Sequence, residues 1–274
     1  MAENAAPMPD GAMQIAAQAQ RGEPRLRLTG INKSFGAVKA LTDVDFEVYA
    51  GEVVGLVGDN GAGKSTLIKV IAGVNPADSG KIYVEGSEVH IGTPPDATRL
   101  GIETVYQDLA LADNLDVVAN LYLGREGVSP RIPWVGGVLN ETEMEQRTLD
   151  VLSQLDVKTI KSVRVPVAAL SGGQRQSIAV AKTILRNPKV VLLDEPTAAL
   201  GVAQTRQVLN LIRRLRERGL AVVVISHNLA DIFEVVDRVI VLRLGRRVGS
   251  YDIRSTTPEK VVAAITGAEF GGAD

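Results

Sequence analysis

Residues 58–66, with the sequence GDNGAGKST, combine glycines, one lysine and two hydroxyl side chains in a spacing that could hold phosphate groups. Gly58, Gly63, Lys64 and Ser65 satisfy the P-loop pattern. Glycines let the backbone N–H groups of such a loop point inward, Lys64 can reach β- and γ-phosphates, and Ser65 can bind Mg²⁺. The alternative, a tight turn that binds nothing, is disfavoured because an apolar strand precedes the loop and a helix-forming segment follows it.

Two adjacent carboxylates, Asp194 and Glu195, end the apolar segment VVLLDEP at 190–196. In open parallel sheets ligands bind beside the carboxyl ends of the strands. Asp194 suits Mg²⁺, and Glu195 suits a general base that orients the water attacking a γ-phosphate. An Asp-Glu pair at a strand end is weak evidence alone, but beside a P-loop it becomes strong.

Two further polar residues follow apolar strand-forming segments in the same way. Gln107 closes IETVYQ, and His227 follows VVVIS at 222–226. Taken alone, the first is most simply a surface glutamine and the second a histidine at the core boundary. In a nucleotide site, His227 could instead donate a hydrogen bond to the γ-phosphate.

The elements around these residues alternate between strands and helices, which predicts an α/β fold with a parallel sheet covered on both faces. Residues 26–48 predict two or three strands of an antiparallel sheet. Residues 108–170 predict a helical insertion, with a Gly- and Pro-rich surface loop at about 125–140 that contains Trp134.

Composition excludes several classes of protein. The 274 residues include no cysteine and only two histidines, which rules out disulfide frameworks and Cys- or His-rich metal sites. The net charge of −2 gives no global basic field, so no nucleic-acid partner is expected.

Residues 1–23 predict a disordered tail without the features of a secretory signal. We expect one main domain at 24–253, followed by a C-terminal helix and tail at 254–274.

A second helix start, LSGGQ at 170–174, could also bind an anion. With it, the motifs make residues 25–250 resemble the ATP-binding subunit of ABC transporters, in the order and spacing of that family. The matches are Walker A at 58–66, the Q-loop glutamine at Gln107, the signature at 170–174, Walker B at 190–194, the catalytic Glu195 and the switch His227. Phe35 stands at the place of the family's adenine-stacking aromatic, although an aromatic there could also be a core or edge-strand residue.

The resemblance implies a P-loop NTPase (RecA-like) core with an antiparallel β subdomain and an α-helical insertion subdomain. It implies ATP and Mg²⁺ as ligands and a head-to-tail pair of subunits, in which the signature of one caps the γ-phosphate held by the other. The implied catalytic residues are Lys64, Gln107, Glu195 and His227. The implied metal-binding residues are Ser65, Gln107 and Asp194. The implied nucleotide-binding residues are Phe35, Gly58, Asp59, Asn60, Gly61, Ala62, Gly63, Lys64, Ser65, Thr66, Ser171, Gly172, Gly173 and Gln174.

Finer details resemble the bacterial carbohydrate-importer branch in its single-domain, fructose-type form: NLYLGRE at 120–126 and EPTAALG at 195–201. This implies an ATPase that drives monosaccharide import. It would lie on the cytoplasmic face of an inner membrane, bound as a homodimer or paired subunit to a permease and served indirectly by a periplasmic sugar-binding protein. Residues 108–123 would receive the permease.

Gly201 departs from the aspartate usual in the family, which puts the usual cross-talk between the two sites in doubt. The rival reading is a soluble ABC-type ATPase of a cluster-assembly or other non-transport complex.

Overall fold

The computed structural model describes residues 22–127 and 138–268. The predicted N-terminal tail, except for its last two residues, lies outside the described residues. So do Trp134, with most of the predicted loop around it, and the last six residues of the predicted C-terminal tail.

The described residues form ten strands and eight α-helices. The strands are β1 (Leu26–Phe35), β2 (Val38–Val48), β3 (Val53–Val57), β4 (Ser79–Val84), β5 (Ser87–Val89), β6 (Ile102–Val105), β7 (Val190–Asp194), β8 (Ala221–Ile225), β9 (Arg238–Arg243) and β10 (Arg246–Asp252). The helices are α1 (Lys64–Ile71), α2 (Pro94–Arg99), α3 (Val117–Tyr122), α4 (Glu141–Gln154), α5 (Gly172–Ile184), α6 (Val202–Glu217), α7 (Leu229–Val235) and α8 (Pro258–Thr266).

The larger sheet has six strands in the order β10-β9-β3-β8-β7-β6. Its strands pair in parallel except for the hairpin of β9 and β10. All five residues of β3 and all five of β8 are buried, and most are valine or isoleucine. Continuous burial of this kind follows when elements cover both faces of a sheet. The parallel sheet predicted from strand–helix alternation is therefore confirmed.

The smaller sheet is antiparallel, with the order β2-β1-β4-β5. The two or three strands expected in residues 26–48 are two, because residues 38–48 form one long strand rather than two short ones. The break that the sequence suggests is an irregularity in register near Val44, beside Asp43 with φ +51°. A bulge of this kind bends a strand without ending it.

A buried arginine joins the two sheets. Arg238 of β9, only 7 % exposed, donates from Nε to Glu52 and from Nη1 to Glu47 of β2, both at 3.0 Å. Burying a guanidinium is costly unless its donors are satisfied, and here carboxylate oxygens of two residues meet it. The contact holds the antiparallel sheet in place over the sheet that carries the candidate site.

The helical region contains α3, α4 and the start of α5. Its core includes Val117, Leu121 and Ile178, all buried. Arg164 crosses its surface to Glu145 at 2.7 Å and Glu141 at 3.2 Å. Helices α3 and α4 thus both lie within residues 108–170, for which the sequence predicts a helical insertion.

Candidate functional site

Four strands of the large sheet end at one edge. Val105 of β6 pairs with Leu193 of β7, and Asp194 of β7 pairs with Ile225 of β8, which in turn pairs with Leu56 of β3. Because these strands are parallel, the loops that follow them all begin at the carboxyl edge. This is the edge at which α/β proteins bind ligands.

The four predicted catalytic residues follow these strand ends. Lys64 begins α1 after the loop from β3, Glu195 directly follows β7, and His227 follows β8 by two residues. The sequence reading placed Gln107 at the end of a strand, which is wrong by two residues. Strand β6 ends at Val105, and Gln107 lies exposed in the turn beyond it. The turn that contains Gln107 still begins at the same edge of the sheet as the other three residues.

The loop from β3 to α1 has a backbone that only glycine fits at two points. Gly58 has φ +149°, and a Cβ added there would lie 2.1 Å from the carbonyl oxygen of Leu242. Gly63 has φ +103°, and its Cβ would lie 2.8 Å from the carbonyl oxygen of Ala40. The glycines of the P-loop pattern are therefore required by close packing against β9 and β2 as well as by access to phosphate.

Lys64 is buried and closes the loop on itself. Its Nζ donates to the carbonyl oxygens of Gly58 at 2.6 Å and Asp59 at 2.9 Å. Burial lowers the pKa of Lys64, and the negative charges of Glu195, Asp59 and Asp194 oppose that shift. Phosphate oxygens would compete with the two carbonyls for the ammonium group of Lys64. Because that group is desolvated, its attraction for phosphate would be stronger than in water.

Asp194 and Glu195 place two carboxylates at the same strand end. Burial, followed by repulsion from Glu195, raises the pKa of Asp194, and the charges of Lys69 and Lys64 act in the opposite direction. Two like charges held together at a partly buried strand end favour a positive ligand between or beside them.

Glu195 occupies an unusual backbone conformation. Its φ is +51°, and its N–H donates to the carbonyl oxygen of Ile225 at 3.0 Å. His227 Nδ1 lies 2.9 Å from Glu195 Oε2, yet this approach does not meet hydrogen-bond geometry, and among the described residues the buried Oε2 has no hydrogen-bond partner. A buried carboxylate oxygen that accepts nothing is costly. It is available to a bound water molecule.

These residues fit a magnesium ion held mainly by its substrate. Within residues 22–127 and 138–268, no three His, Cys, Asp or Glu side chains are grouped so that they could hold a metal. Mg²⁺ is commonly held by one or two protein ligands together with phosphate oxygens and water. The crowded carboxylates and the Ser65 hydroxyl in the first turn of α1 match that pattern of ligands.

Phe35 ends β1 at the tip of the β1–β2 hairpin. It pairs with Val38, and Ala40, two residues further along β2, lies against Gly63 of the P-loop. At about 3.3 Å per residue, the tip is within roughly 10 Å of the P-loop backbone. The ring is 47 % exposed and belongs to neither hydrophobic core cluster. Its exposure argues against the core reading of this aromatic.

The signature helix α5 begins with a capping box. Ser171 Oγ accepts from the N–H of Gln174 at 3.4 Å, and Gln174 Oε1 accepts from the N–H of Ser171 at 2.8 Å. Gln174 Nε2 also donates to the carbonyl oxygen of Thr159 at 2.7 Å. The amide of Gln174 is therefore occupied within its own chain, as expected of a capping residue.

The two signature glycines pack tightly against the start of α6. A Cβ on Gly172 would lie 2.8 Å from Leu200 Cδ2, and one on Gly173 would lie 3.1 Å from Gln204 Cβ. The sequence reading explained these glycines by close approach to an anion. The structure adds a packing reason from the same chain. Gly201 itself, at the helix boundary, has open space where its Cβ would be.

Sequence reasoning missed one contact beside the site. Thr197 Oγ1 donates to Asp231 Oδ2 at 2.7 Å, which ties the loop after Glu195 to the helix after His227. No spacing in the sequence marks this pair, because its members lie 34 positions apart; Thr197 lies within EPTAALG at 195–201, but Asp231 belongs to none of the motifs.

Aliphatic residues with left-handed backbone gather in the loops around the site. Leu109, Ala110, Ala199 and Leu244 have φ between +45° and +58°. The first two follow Gln107, the third follows Glu195, and the fourth precedes Gly245, whose N–H donates to the carbonyl oxygen of P-loop residue Ala62. Side chains with a Cβ rarely adopt this conformation, and such strain is concentrated at functional sites.

The chain matches known proteins over most of its length. Residues 41–198 match the family described as ABC transporter. A fructose import ATP-binding protein of Rhizobium meliloti is 45% identical over 90% of this chain and 95% of that protein. A xylose/arabinose import ATP-binding protein of Sulfolobus acidocaldarius is 44% identical over 90% of this chain and 95% of that protein. A ribose import ATP-binding protein of Clostridium perfringens is 38% identical over 89% of this chain, but only 48% of that longer protein is covered.

Solved structures show the same fold. A nucleotide-free ATP-binding cassette from an ABC transporter superposes with a TM-score of 0.74 at 28% identity, covering 88% of this chain and 98% of that one. A dimeric bacterial ABC transporter cassette, MJ0796, superposes with a TM-score of 0.68 at 25% identity, covering 84% of this chain and all of that one. The α/β cassette fold expected from the sequence is thereby confirmed.

Proposed function

The chain belongs to the ABC transporter family and is an ATPase of that family, and from this premise we propose that it drives the import of a monosaccharide through a membrane permease. Relatives named for fructose, xylose/arabinose and ribose import support the substrate class. The observation that carries the proposal is the convergence of Lys64, Glu195, Gln107 and His227 on one edge of the sheet, beside the glycine loop.

The side chains at that edge have separate roles in the proposed hydrolysis. Lys64 and the N–H groups of residues 58–66 hold the β- and γ-phosphates. Glu195, whose Oε2 accepts no hydrogen bond from the described residues, orients the attacking water and accepts its proton. His227, 2.9 Å from that oxygen, donates to the γ-phosphate, and Gln107 closes the site from the neighbouring loop.

Ser65, Asp194 and Gln107 are the residues that would hold Mg²⁺. The ion would supply charge neutralisation at the phosphates. In its absence, Asp194 and Glu195 repel each other, which is one cause of the raised pKa of Asp194. We therefore expect nucleotide binding to be strongest with the metal present.

We further propose that two copies, or this chain and a paired ATPase subunit, assemble head to tail. The helix start at Ser171, Gly172 and Gly173 of one subunit would then cap the γ-phosphate held by the other. The exposed Ser171 and the dimeric cassette among the structural neighbours support this arrangement. Since the amide of Gln174 is bound to its own backbone and to Thr159, we expect Gln174 to shape the helix start.

Residues 108–123 remain our proposed surface for the permease. Asn120 is fully buried and organises this segment: it accepts from the N–H of Ala112 at 2.7 Å and donates to the carbonyl oxygens of Ala112 and Leu115. Leu123 is 47 % exposed beside it. A segment with a fixed backbone and an exposed apolar end suits a partner helix.

In the part of the chain that the structure describes, no helix is long and apolar enough to cross a membrane. We propose that the chain is held at the cytoplasmic face of a bacterial inner membrane by its permease. A periplasmic sugar-binding protein would then be an indirect partner on the opposite side.

Glu195→Gln tests the catalytic assignment. This variant should retain ATP binding and lose turnover by roughly 10²- to 10⁴-fold, because it keeps the shape of the side chain and removes the base. Phosphate release and ATP binding are measured side by side, with Glu217→Gln at the end of α6 as a matched control. Turnover of Glu195→Gln at the wild-type rate would contradict its role as base.

The same variant tests the transport proposal. Tagged Glu195→Gln, held with Mg-ATP and purified from native membranes, should bring down a polytopic permease with two ATPase subunits. Recovery of soluble partners alone would overturn the import proposal and leave the ATPase in place.

A further inference from the structure

Strand β1 loses one of its two neighbours just before it reaches Phe35. On one side it pairs with β2 up to Phe35 itself. On the other side β4 begins at Ser79, opposite Asn32, so within the described part of the chain no strand pairs with the last three residues of β1 there. A strand end paired on one side only is a weak support for a projecting side chain.

The carboxylate of Asp78 replaces the missing strand. Asp78 Oδ2 accepts from the N–H of Ser34 at 2.6 Å, and Asp78 Oδ1 accepts from Lys33 Nζ at 2.7 Å. The N–H of Asp78 donates to the carbonyl oxygen of Asn32 at 2.9 Å. Three bonds thus hold the segment that leads directly into Phe35.

Lys33 connects this clamp to the ring. Its Nζ lies 5.6 Å from the centroid of Phe35, within the range of a cation–π contact. The hydrogen bond from Lys33, together with that from Ser34, lowers the pKa of Asp78.

We propose that Asp78 is a positioning residue for adenine: through Ser34 and Lys33 it holds the ring of Phe35 where the base of the bound nucleotide stacks. The inference rests on the proposed ATP site and on Phe35 as its stacking residue. Asp78 follows the loop after α1, the helix that begins with the phosphate-binding Lys64. One segment of chain therefore connects the phosphate end of the site to its base end.

The test compares ATP with inorganic tripolyphosphate, which has phosphates but no base. Affinities of both are measured by calorimetry in the presence of Mg²⁺ for Phe35→Ala, Asp78→Ala and the double variant. Phe35→Ala should weaken ATP binding about tenfold through lost stacking. Asp78→Ala should weaken it about three- to tenfold, and neither should change tripolyphosphate affinity more than about twofold.

The double variant should bind ATP as Phe35→Ala does, because Asp78 acts only through the ring. Asp45→Ala is the matched control. Asp45 is also exposed and accepts a backbone N–H of β1, from Gly30 at 2.8 Å, but far from the hairpin tip. This control should bind ATP with wild-type affinity.

Equal weakening of ATP and tripolyphosphate by Asp78→Ala would overturn the inference, as would full additivity with Phe35→Ala. If Phe35→Ala weakens ATP while Asp78→Ala does not, only the positioning role fails. If Phe35→Ala leaves ATP affinity unchanged, the assignment of Phe35 in the proposed site fails with it.

Discussion

Glycines of the P-loop differ in why they are glycines. Gly58 and Gly61 both have positive φ, at +149° and +79°. At Gly58 a Cβ would collide with the backbone of β9, whereas at Gly61 no atom of the described residues lies within 4 Å of the Cβ position. The first is required by packing and conformation together, and the second by conformation alone. The two positions can be separated by measuring stability without any nucleotide.

Gly58→Ala should lower the free energy of unfolding by about 3 kcal/mol or more, because the carbonyl oxygen of Leu242 cannot move without disturbing β9. Gly61→Ala should lower it by only about 1 kcal/mol, the usual cost of a left-handed backbone for alanine. Urea denaturation of both apo variants checks the difference. Equal losses would show that packing against β9 does not set the identity of Gly58.

Asp194, one of the two carboxylates at the site, reduces the stability of the folded chain when it is ionised. Asp194 has its pKa raised by burial and by Glu195, so its charged form is disfavoured in the folded chain. That cost is present at neutral pH and is relieved as the pH falls through the raised folded pKa. The site is thus held in place by the surrounding fold, not by its own charges.

At the scale of the elements, the side chain of Arg238 links β9 to the antiparallel sheet. Arg238 meets Glu47 and Glu52 in a buried cluster, and it also donates to the carbonyl oxygen of Glu47 at 2.8 Å. Removing the Arg238 cation would leave the Glu47 and Glu52 side chains, which have little access to water, without the guanidinium that meets both, although Arg247 Nη1 would still lie 3.5 Å from Glu47 Oε2. Such a loss exceeds the energy of the contact itself.

Arg238→Ala should destabilise the protein by about 3–5 kcal/mol in chemical denaturation. Arg99→Ala is the control, since the Arg99 side chain is 75% exposed and pairs with Asp96 at the surface. It should change stability by less than about 1 kcal/mol. Similar losses in the two variants would mean that the buried cluster does not join the sheets as described.

Local patterns in the sequence predicted the helices and strands well, because each helix or strand depends mainly on the residues within it. The apolar run before residue 58, the glycine loop and the helix after it were all found where expected. Gln107 was placed at a strand end because apolar character continues to Tyr106, whereas pairing with β7 stops at Val105. The single long β2 was missed because a bulge looks like a strand break in sequence.

Contacts between distant segments could not be predicted in the same way. Ala40 against Gly63, and Leu200 against Gly172, join parts of the chain that share no local pattern. The packing reason for the signature glycines depends on such a contact. For this reason the sequence predicted which residue types stand at the site but not everything that holds them there.

At the scale of the whole molecule, the head-to-tail assembly that we propose would complete each site with a second subunit. Lys64 begins α1 beside β3, while Ser171 begins α5 in a part of the chain whose described contacts reach Thr159, Leu200 and Gln204. Each subunit would therefore contribute a different half to each site. Defects in the two halves, placed on separate chains, should then complement one another.

Lys64→Ala and Ser171→Arg should each abolish ATPase activity in the pure variant. Mixing equal amounts of the two should restore about a quarter of wild-type activity, because half of the dimers are mixed and each of these has one intact site. Phosphate release from the mixture measures this. Absence of any recovery, although mixed dimers form in a pull-down of differently tagged chains, would contradict independent shared sites.

The left-handed aliphatic residues around the site have an energetic consequence for the loop after β6. Leu109 and Ala110 each hold on the order of 1–2 kcal/mol of backbone strain. A second conformation of this loop in which neither residue was strained would be favoured by the loss of both strains. That loss would raise the population of the second conformation on the order of 30- to 900-fold. Relief of this strain would offset part of the cost of any rearrangement of the loop, so that a smaller differential affinity of a ligand would be enough to drive one. If a nucleotide at the sheet edge and a protein bound to residues 108–123 favoured different conformations of this loop, each would by linkage lower the affinity for the other.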